Sequence, residues 1–216
     1  MKQLGITLAQ KLITASAIKL APESPFVWRS GWLAPIYTDN RITLSLPSVR
    51  NFVKIEVSRV ILENYPGAQV IASVSTGSIA LGAIIADTLG LPFIYVRSTP
   101  KDHGLENLIE GNLKPGDKVV LLEDILSTGA NFMRAATTVM LAGGDVMGGV
   151  TLFSYDFDLA NEAIKREDVQ LLQLTGFNDV INAATEMQRM TPATLAVLKQ
   201  WHSDPANWTP AAPEID

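Results

Sequence analysis

The feature that most restricts the fold of this chain is a series of short apolar segments that begins at residue 69. Each segment is nearly apolar on both faces of an extended chain, and helix-like segments fill most of the intervals between them. Such strands, alternating with helices, are typical of a parallel sheet that is covered on both sides. We therefore expect an α/β fold with a central, mostly parallel sheet flanked by helices. The expected strands are residues 69–74, 93–97, 118–123, 146–153 and 169–174, and the helices between them are 78–89, 130–141 and 159–166.

Two further helices are predicted before the first of these strands. Residues 4–20 and 48–64 both repeat apolar side chains at the spacing of an amphipathic helix. The second pattern is closed by Tyr65-Pro66-Gly67, a helix-stop signal.

Composition excludes several classes of protein. The chain has no cysteine, which rules out disulfides, thiolate nucleophiles and cysteine-bound zinc, and its two histidines are too few for a histidine-rich metal site. A net charge of −5 without a Lys/Arg run argues against nucleic-acid binding. No apolar run reaches the roughly 18 residues of a spanning helix. We expect a soluble, cytoplasmic protein that binds neither nucleic acid nor membrane.

Residues 119–131, VVLLEDILSTGAN, carry the strongest functional signal. A buried strand leads into Glu123 and Asp124, and a Ser127-Thr128-Gly129 turn then precedes a helix that begins near Ala130. Ligands collect at the carboxyl ends of parallel strands, carboxylates there can bind hydroxyl groups, and a helix N-terminus binds phosphate. The pattern predicts a cradle for a ribose 5-phosphate. The alternative is that Asp124 and Ser127 simply cap the helix.

A second signal is the polar interval at residues 98–117, which is basic at one end and closed by Pro115-Gly116. Long loops are uncommon inside compact domains, so this interval is either functional or disordered. Its charged residues, with the preceding Arg97, could also be an ordinary solvated cluster.

These stretches resemble a known family. Residues 119–131 are similar to the phosphoribosyl-diphosphate-binding motif of the type I phosphoribosyltransferases. Three other segments, 26–41, 95–104 and 201–208, resemble the substrate segment, the mobile catalytic loop and the carboxyl-terminal tail of orotate phosphoribosyltransferases. The resemblance implies that phosphoribosyl diphosphate contacts Thr76, Gly77, Arg97, Lys101, His103, Glu123, Asp124, Ile125, Leu126, Ser127, Thr128, Gly129, Ala130 and Asn131.

The resemblance also implies a reaction. The family joins N1 of orotate to the anomeric carbon of phosphoribosyl diphosphate and releases pyrophosphate, with Mg²⁺ as cofactor. Departure of pyrophosphate leaves an oxocarbenium-like sugar and a growing polyanion, so the site needs cations. Arg97, Lys101 and His103 are the implied catalytic residues, and either Lys101 or His103 could protonate the leaving group. Mg²⁺ would be held mainly by substrate oxygens and water, with Asp124 as a candidate ligand.

Orotate is expected to contact Ser127 and Arg29. Arg29 could instead be a surface arginine packed on tryptophans, and the turn at Thr76-Gly77 could be a plain strand-to-helix connection. The neighbouring aromatic residues Trp28, Trp32, Tyr37 and Phe52 are interpreted as core rather than as a substrate platform.

The implied architecture is a single domain acting as a homodimer, with active sites shared between subunits. Residues 1–66 would form an N-terminal hood and its helices, 67–175 the core sheet, and 176–216 the C-terminal helices and tail. The loop would open for the charged substrate and close to exclude water.

Some positions depart from the family pattern, and two rival functions remain. Ser98 stands where many relatives have lysine, Ala130 replaces a common glycine, and residues 152–158 offer no arginine for orotate. A purine-base phosphoribosyltransferase would share the 119–131 motif. A non-catalytic regulator that senses phosphoribosyl diphosphate would bind the same ligand without turnover.

Overall fold

The computed structural model of the protein has a mostly parallel sheet at its centre and describes residues 2–99, 108–167 and 169–210. The helices are α1 Lys2–Thr14, α2 Pro47–Asn64, α3 Ile79–Leu89, α4 Ala130–Leu141, α5 Asp158–Arg166, α6 Phe177–Glu186 and α7 Pro192–Ser203, with a 3₁₀ helix at Asn40–Ser45. The strands are β1 Ile18–Leu20, β2 Phe26–Val27, β3 Leu33–Ala34, β4 Ile36–Thr38, β5 Val70–Val74, β6 Phe93–Val96, β7 Ile109–Glu110, β8 Lys118–Leu126, β9 Asp145–Ser154 and β10 Leu171–Gly176.

The central sheet has the spatial order β10-β9-β8-β5-β6-β7, and its pairs are parallel except β6 with β7. After β5 the chain crosses to β6 on one side, whereas after β8 it crosses to β9 on the other. The order of the strands therefore reverses between β5 and β8. In open parallel sheets, the crevice at such a reversal is where ligands bind.

The sheet is buried on both faces because its strands alternate apolar side chains between two cores. In β8, Val120 and Leu122 pack with the N-terminal and C-terminal helices, whereas Val119 and Leu121 pack toward α4 and α5. This alternation follows from the two-residue period of a strand. Because both sets are apolar, residues 119–122 of β8 form a continuous hydrophobic run, which is why the strand was predictable.

The predicted α/β class, with a central mostly parallel sheet, is confirmed. The predicted helix at residues 4–20 is wrong at its end, because α1 stops at Thr14 and residues 18–20 form strand β1. Ser16 takes a left-handed conformation with φ of 57°, which breaks the helix. β1 then pairs with β4 in antiparallel register. The short antiparallel strand β7, inside the interval at residues 98–117, was also not predicted.

Small antiparallel strand pairs build the hood. β1 pairs with β4, β2 pairs with β3, and the 3₁₀ helix follows them. The amide Nδ2 of Asn40 donates a hydrogen bond to the backbone oxygen of Asp124 at 2.7 Å. This bond fixes the hood over the carboxyl end of β8. Among the described helices, none is both long and apolar enough to cross a membrane.

Candidate active site

The loop after β8 forms one wall of the site. β8 extends to Leu126 and pairs with β9 as far as that residue. Glu123 and Asp124 therefore lie near the end of the strand rather than after it. Gly129 has a φ of 78° and is the N-cap of α4, a left-handed position that glycine adopts without steric cost. No side chain caps this helix, so the interpretation of Asp124 and Ser127 as simple caps is wrong.

A small recess opens in front of the uncapped helix. It is lined by Glu123 and by residues 125–132, which include both hydroxyl side chains of the turn. The first N–H groups of a helix carry partial positive charge and lack partners within the helix. The recess therefore suits a phosphate group.

The carboxyl group of Glu123 lines this recess, and that of the half-buried Asp124 follows it in the chain. Glu123 is 8% exposed, and burial together with the neighbouring Asp124 holds the pKa of Glu123 well above its usual range. Burial also raises the pKa of Asp124. Within the described ranges, no salt bridge joins either carboxyl group to a cation. A carboxyl group that loses water on folding without gaining an ion pair destabilises the fold, so a role in ligand binding explains Glu123 and Asp124 better than a structural one.

The loop after β5 lies against these carboxyl groups. A Cβ atom added to Gly77 would collide with the Asp124 carboxyl group, so only a residue without a side chain fits there. The Ser78 hydroxyl donates to the backbone oxygens of Val74 at 2.6 Å and Leu122 at 2.9 Å, which ties this loop to β8. The Ser75–Thr76 peptide bond is cis. The structure thus brings the predicted Thr76-Gly77 turn to the carboxylates at the reversal point of the sheet.

Arg97 follows β6 and lies beside the same edge. Its guanidinium Nη1 is 3.6 Å from Oε1 of Glu110, and its side chain is partly exposed. Lys101 and His103, the other predicted catalytic residues, lie outside the described residues.

A larger pocket of about 570 Å³ lies between the hood and the sheet. Trp28, Arg29, Tyr37 and Thr38 line it from the hood, while the loop after β8 and Tyr155 line the other side. The Trp28 and Tyr155 rings are 4.7 Å apart between centroids. A pocket lined by aromatic rings, with one arginine and several hydroxyls, fits a planar anionic ring.

The structure revises the interpretation of the hood aromatics. Trp32 and Phe52 pack against the main core as expected. Trp28 contacts that core and also lines the pocket, and Tyr37 lines the pocket too. Sequence reasoning missed Thr38 and Tyr155, whose hydroxyls lie 3.1 Å apart with Tyr155 donating. Tyr155 directly follows β9, so the strand-end rule that found Glu123 could have found it.

The fold is that of a type I phosphoribosyltransferase. It has the same kind of sheet, a hood over the carboxyl ends of the strands, and two carboxylates followed by a turn into a helix N-terminus. The solved structure of the orotate phosphoribosyltransferase from Aeropyrum pernix is similar, with a TM-score of 0.74 and 23% identity, covering 85% of this chain and 99% of that one. This likeness confirms the fold.

Sequence similarity narrows the class. The orotate phosphoribosyltransferase of Bacteroides thetaiotaomicron is 50% identical over 208 residues, which are 96% of this chain and 98% of that protein. The Porphyromonas gingivalis orotate phosphoribosyltransferase is 47% identical over 208 residues, 96% of this chain and 99% of that protein. The chain belongs to the orotate phosphoribosyltransferase family, which confirms the resemblance found in its motifs. No protein-family model matches the chain.

Proposed function

We propose that this chain transfers the ribose 5-phosphate of phosphoribosyl diphosphate to N1 of orotate, giving orotidine 5'-monophosphate and pyrophosphate for UMP synthesis. One observation carries the proposal at the level of the site. The buried carboxyl group of Glu123 and the half-buried one of Asp124, which have no ion pair among the described residues, lie between an uncapped helix N-terminus and a glycine turn, beside a pocket lined by aromatic rings.

The sugar phosphate is assigned to the loop after β8. Glu123 and Asp124 accept hydrogen bonds from the ribose hydroxyls, since an ionised carboxylate is an acceptor with room for two donors. The 5-phosphate accepts hydrogen bonds from the backbone N–H groups of the Ser127-Thr128-Gly129 turn and of the first turn of α4, and from the hydroxyls of Ser127 and Thr128. The residues that form this cradle are Glu123, Asp124, Ile125, Leu126, Ser127, Thr128, Gly129, Ala130 and Asn131.

The leaving pyrophosphate is assigned to the turn after β5 and to cations. Thr76 and Gly77 offer backbone N–H groups, and Arg97 offers a guanidinium beside Ser75, the residue that precedes them. Lys101 and His103, assigned from the resemblance of residues 95–104 to the catalytic loop of the family, complete the positive charge, and one of them protonates the departing group. Each preorganised donor of this kind typically contributes on the order of 3 kcal/mol to transition-state stabilisation.

The base is assigned to the pocket under the hood. The Arg29 guanidinium faces the carboxylate of orotate, and Ser127 contacts the ring from the opposite wall. The aromatic rings of the pocket exclude water from the anomeric carbon, where water would otherwise capture the oxocarbenium ion.

Mg²⁺ fits the donor chemistry of this site. Asp124 and Glu123 are hard oxygen donors, and their raised pKa values arise from burial, an environment in which a cation favours the ionised form. Across residues 2–99, 108–167 and 169–210, no group of three or more metal-binding side chains occurs. We assign most ligands to substrate oxygens and water, with Asp124 as the protein's contribution. Bound Mg²⁺ neutralises charge on the diphosphate.

The assembly and location remain as the family resemblance implies them. We propose a cytoplasmic homodimer in which the segment containing Lys101 and His103 reaches the site of the neighbouring subunit.

The direct test follows orotate by its ultraviolet absorbance after phosphoribosyl diphosphate and Mg²⁺ are added, with pyrophosphate measured in parallel. The proposal predicts that orotate is consumed and pyrophosphate appears in equal amounts, while adenine is left unchanged. Consumption of adenine in place of orotate would identify a purine-base enzyme. Binding of phosphoribosyl diphosphate with no base consumed would identify a regulator.

A further inference from the structure

A third recess lies beside the proposed cradle, between the ends of β5 and β6 and the first turns of α4. Ser75 lines it just after β5, Arg97 and Ser98 line it just after β6, and Asn131 and Arg134 line it from α4. Arg134 lies outside the 119–131 motif, and no sequence pattern singled it out. Among the described residues that line this recess, Arg134 and Arg97 are the two with cationic side chains.

The environment of Arg134 leaves its charge available. Its Nη2 donates a 2.9 Å hydrogen bond to Oδ1 of Asn131, a neutral partner, and the side chain is exposed. In the part of the chain that the structure describes, Arg134 takes part in no salt bridge, whereas Arg97 lies near Glu110. Arg134 is close enough to Glu123 to act on it electrostatically and oppose the rise of its pKa.

The recess is continuous with the rest of the site through Asn131. That residue lines this recess, the phosphate recess and the larger pocket. The hydrogen bond from Arg134 to Asn131 therefore holds the guanidinium at a wall shared by all three. Ser75 directly precedes Thr76 and Gly77, the turn proposed to bind pyrophosphate, so the recess adjoins the proposed diphosphate site rather than the proposed 5-phosphate site.

We propose that Arg134 is a substrate-binding residue whose guanidinium contacts the diphosphate of phosphoribosyl diphosphate, alongside Arg97. A guanidinium presents paired N–H donors that match phosphate oxygens, and hydrogen bonds between ionised groups are stronger than neutral ones. The inference rests on the proposed function, since it assigns one more contact to the same substrate.

The test compares Arg134→Gln with wild type by titration calorimetry of pyrophosphate and of ribose 5-phosphate, both with Mg²⁺. The Gln variant should bind pyrophosphate about ten-fold or more weakly, while ribose 5-phosphate affinity changes less than about two-fold. Arg134→Lys should fall between the two because lysine keeps the charge but not the planar fork. Steady-state kinetics should show the KM for phosphoribosyl diphosphate rising while the KM for orotate stays near wild type.

Arg166→Gln is the matched control, since it removes an exposed helical arginine on α5. Thermal melting checks that each variant is folded, and Arg134→Met provides the same comparison if the Gln variant is unstable. Unchanged pyrophosphate affinity, or an equal loss for both ligands, would overturn the proposal. Failure of the wild type to bind either ligand would instead count against the proposed function.

Discussion

Replacement of Glu123 by glutamine separates a ligand-binding role from a structural one. The substitution keeps the size of the side chain and removes its ability to ionise. In the wild type, burial and Asp124 raise the pKa of this carboxyl group above the 4.5 of an exposed glutamate. The folded state therefore holds a proton that the unfolded state releases, and wild-type stability falls as pH rises from about 4.5 through the raised pKa. Glutamine does not ionise, so the stability of the Gln variant does not fall over this pH range.

Two opposite effects follow. Without ligand, the variant should be more stable than wild type at neutral pH, by roughly 1 kcal/mol, or a melting temperature about 2–4 °C higher for a chain of this size. With ligand, the loss of a hydrogen bond between a ribose hydroxyl and a charged acceptor removes about 1.5–3 kcal/mol, or roughly a ten- to hundred-fold loss of affinity for phosphoribosyl diphosphate.

The assay is thermal melting of both proteins without ligand at about pH 5 and about pH 8, followed by calorimetric titration of phosphoribosyl diphosphate with Mg²⁺. The difference in melting temperature should grow from the lower to the higher pH. Glu162→Gln, an exposed change on α5, should alter neither quantity. A Gln variant that is less stable than wild type and binds the substrate equally well would show that Glu123 is structural, and the reasoning would be refuted.

Three further changes test other parts of the site. Gly77→Ala places a methyl group against the Asp124 carboxyl, so the KM for phosphoribosyl diphosphate should rise about ten-fold or more while orotate binding is retained; unchanged kinetics would contradict the packing of these loops. Lys101→Ala should lower kcat/KM about a hundred-fold with an unaltered melting temperature, and full activity would remove Lys101 from the mechanism. Tyr65→Phe loses hydrogen bonds to the backbone oxygens of Gly149 and Gln170, both 3.1 Å. A denaturant titration should show a free energy of unfolding lower by about 1 kcal/mol, with the kinetic constants unchanged. A loss of activity in the folded variant would contradict a purely structural role for Tyr65.

The sheet was predictable because its signal is local. Strands buried on both faces are apolar at almost every position, as in β5 and in residues 119–122 of β8, and the helices between them keep their own period. The end of α1 was not predictable in the same way. Apolar residues at the helical spacing continue to Ile18, but a left-handed residue at Ser16 and pairing of β1 with β4 override that pattern. Pairing with a strand about 20 residues away leaves no trace in a local window.

The same distinction between local and tertiary signals applies to the site. Glu123, Asp124 and the turn after them are contiguous in sequence, so their chemistry could be inferred from residue types and order. The positions of Thr38 and Tyr155 in the larger pocket, and of Arg134 beside Arg97, depend on the hood folding over the sheet and on which face of α4 lies near the end of β6. These contacts form only in the tertiary structure, so no local sequence pattern indicates them.

We propose that phosphoribosyl diphosphate lies at the carboxyl end of β8, held by the carboxylates of Glu123 and Asp124. Calorimetric titration with this ligand and Mg²⁺ should show one site per chain in the wild type. The double variant Glu123→Gln, Asp124→Asn should bind at least roughly a hundred-fold more weakly, since two charged hydrogen-bond acceptors are lost. Equal affinity in the two proteins would place the ligand elsewhere and contradict the account.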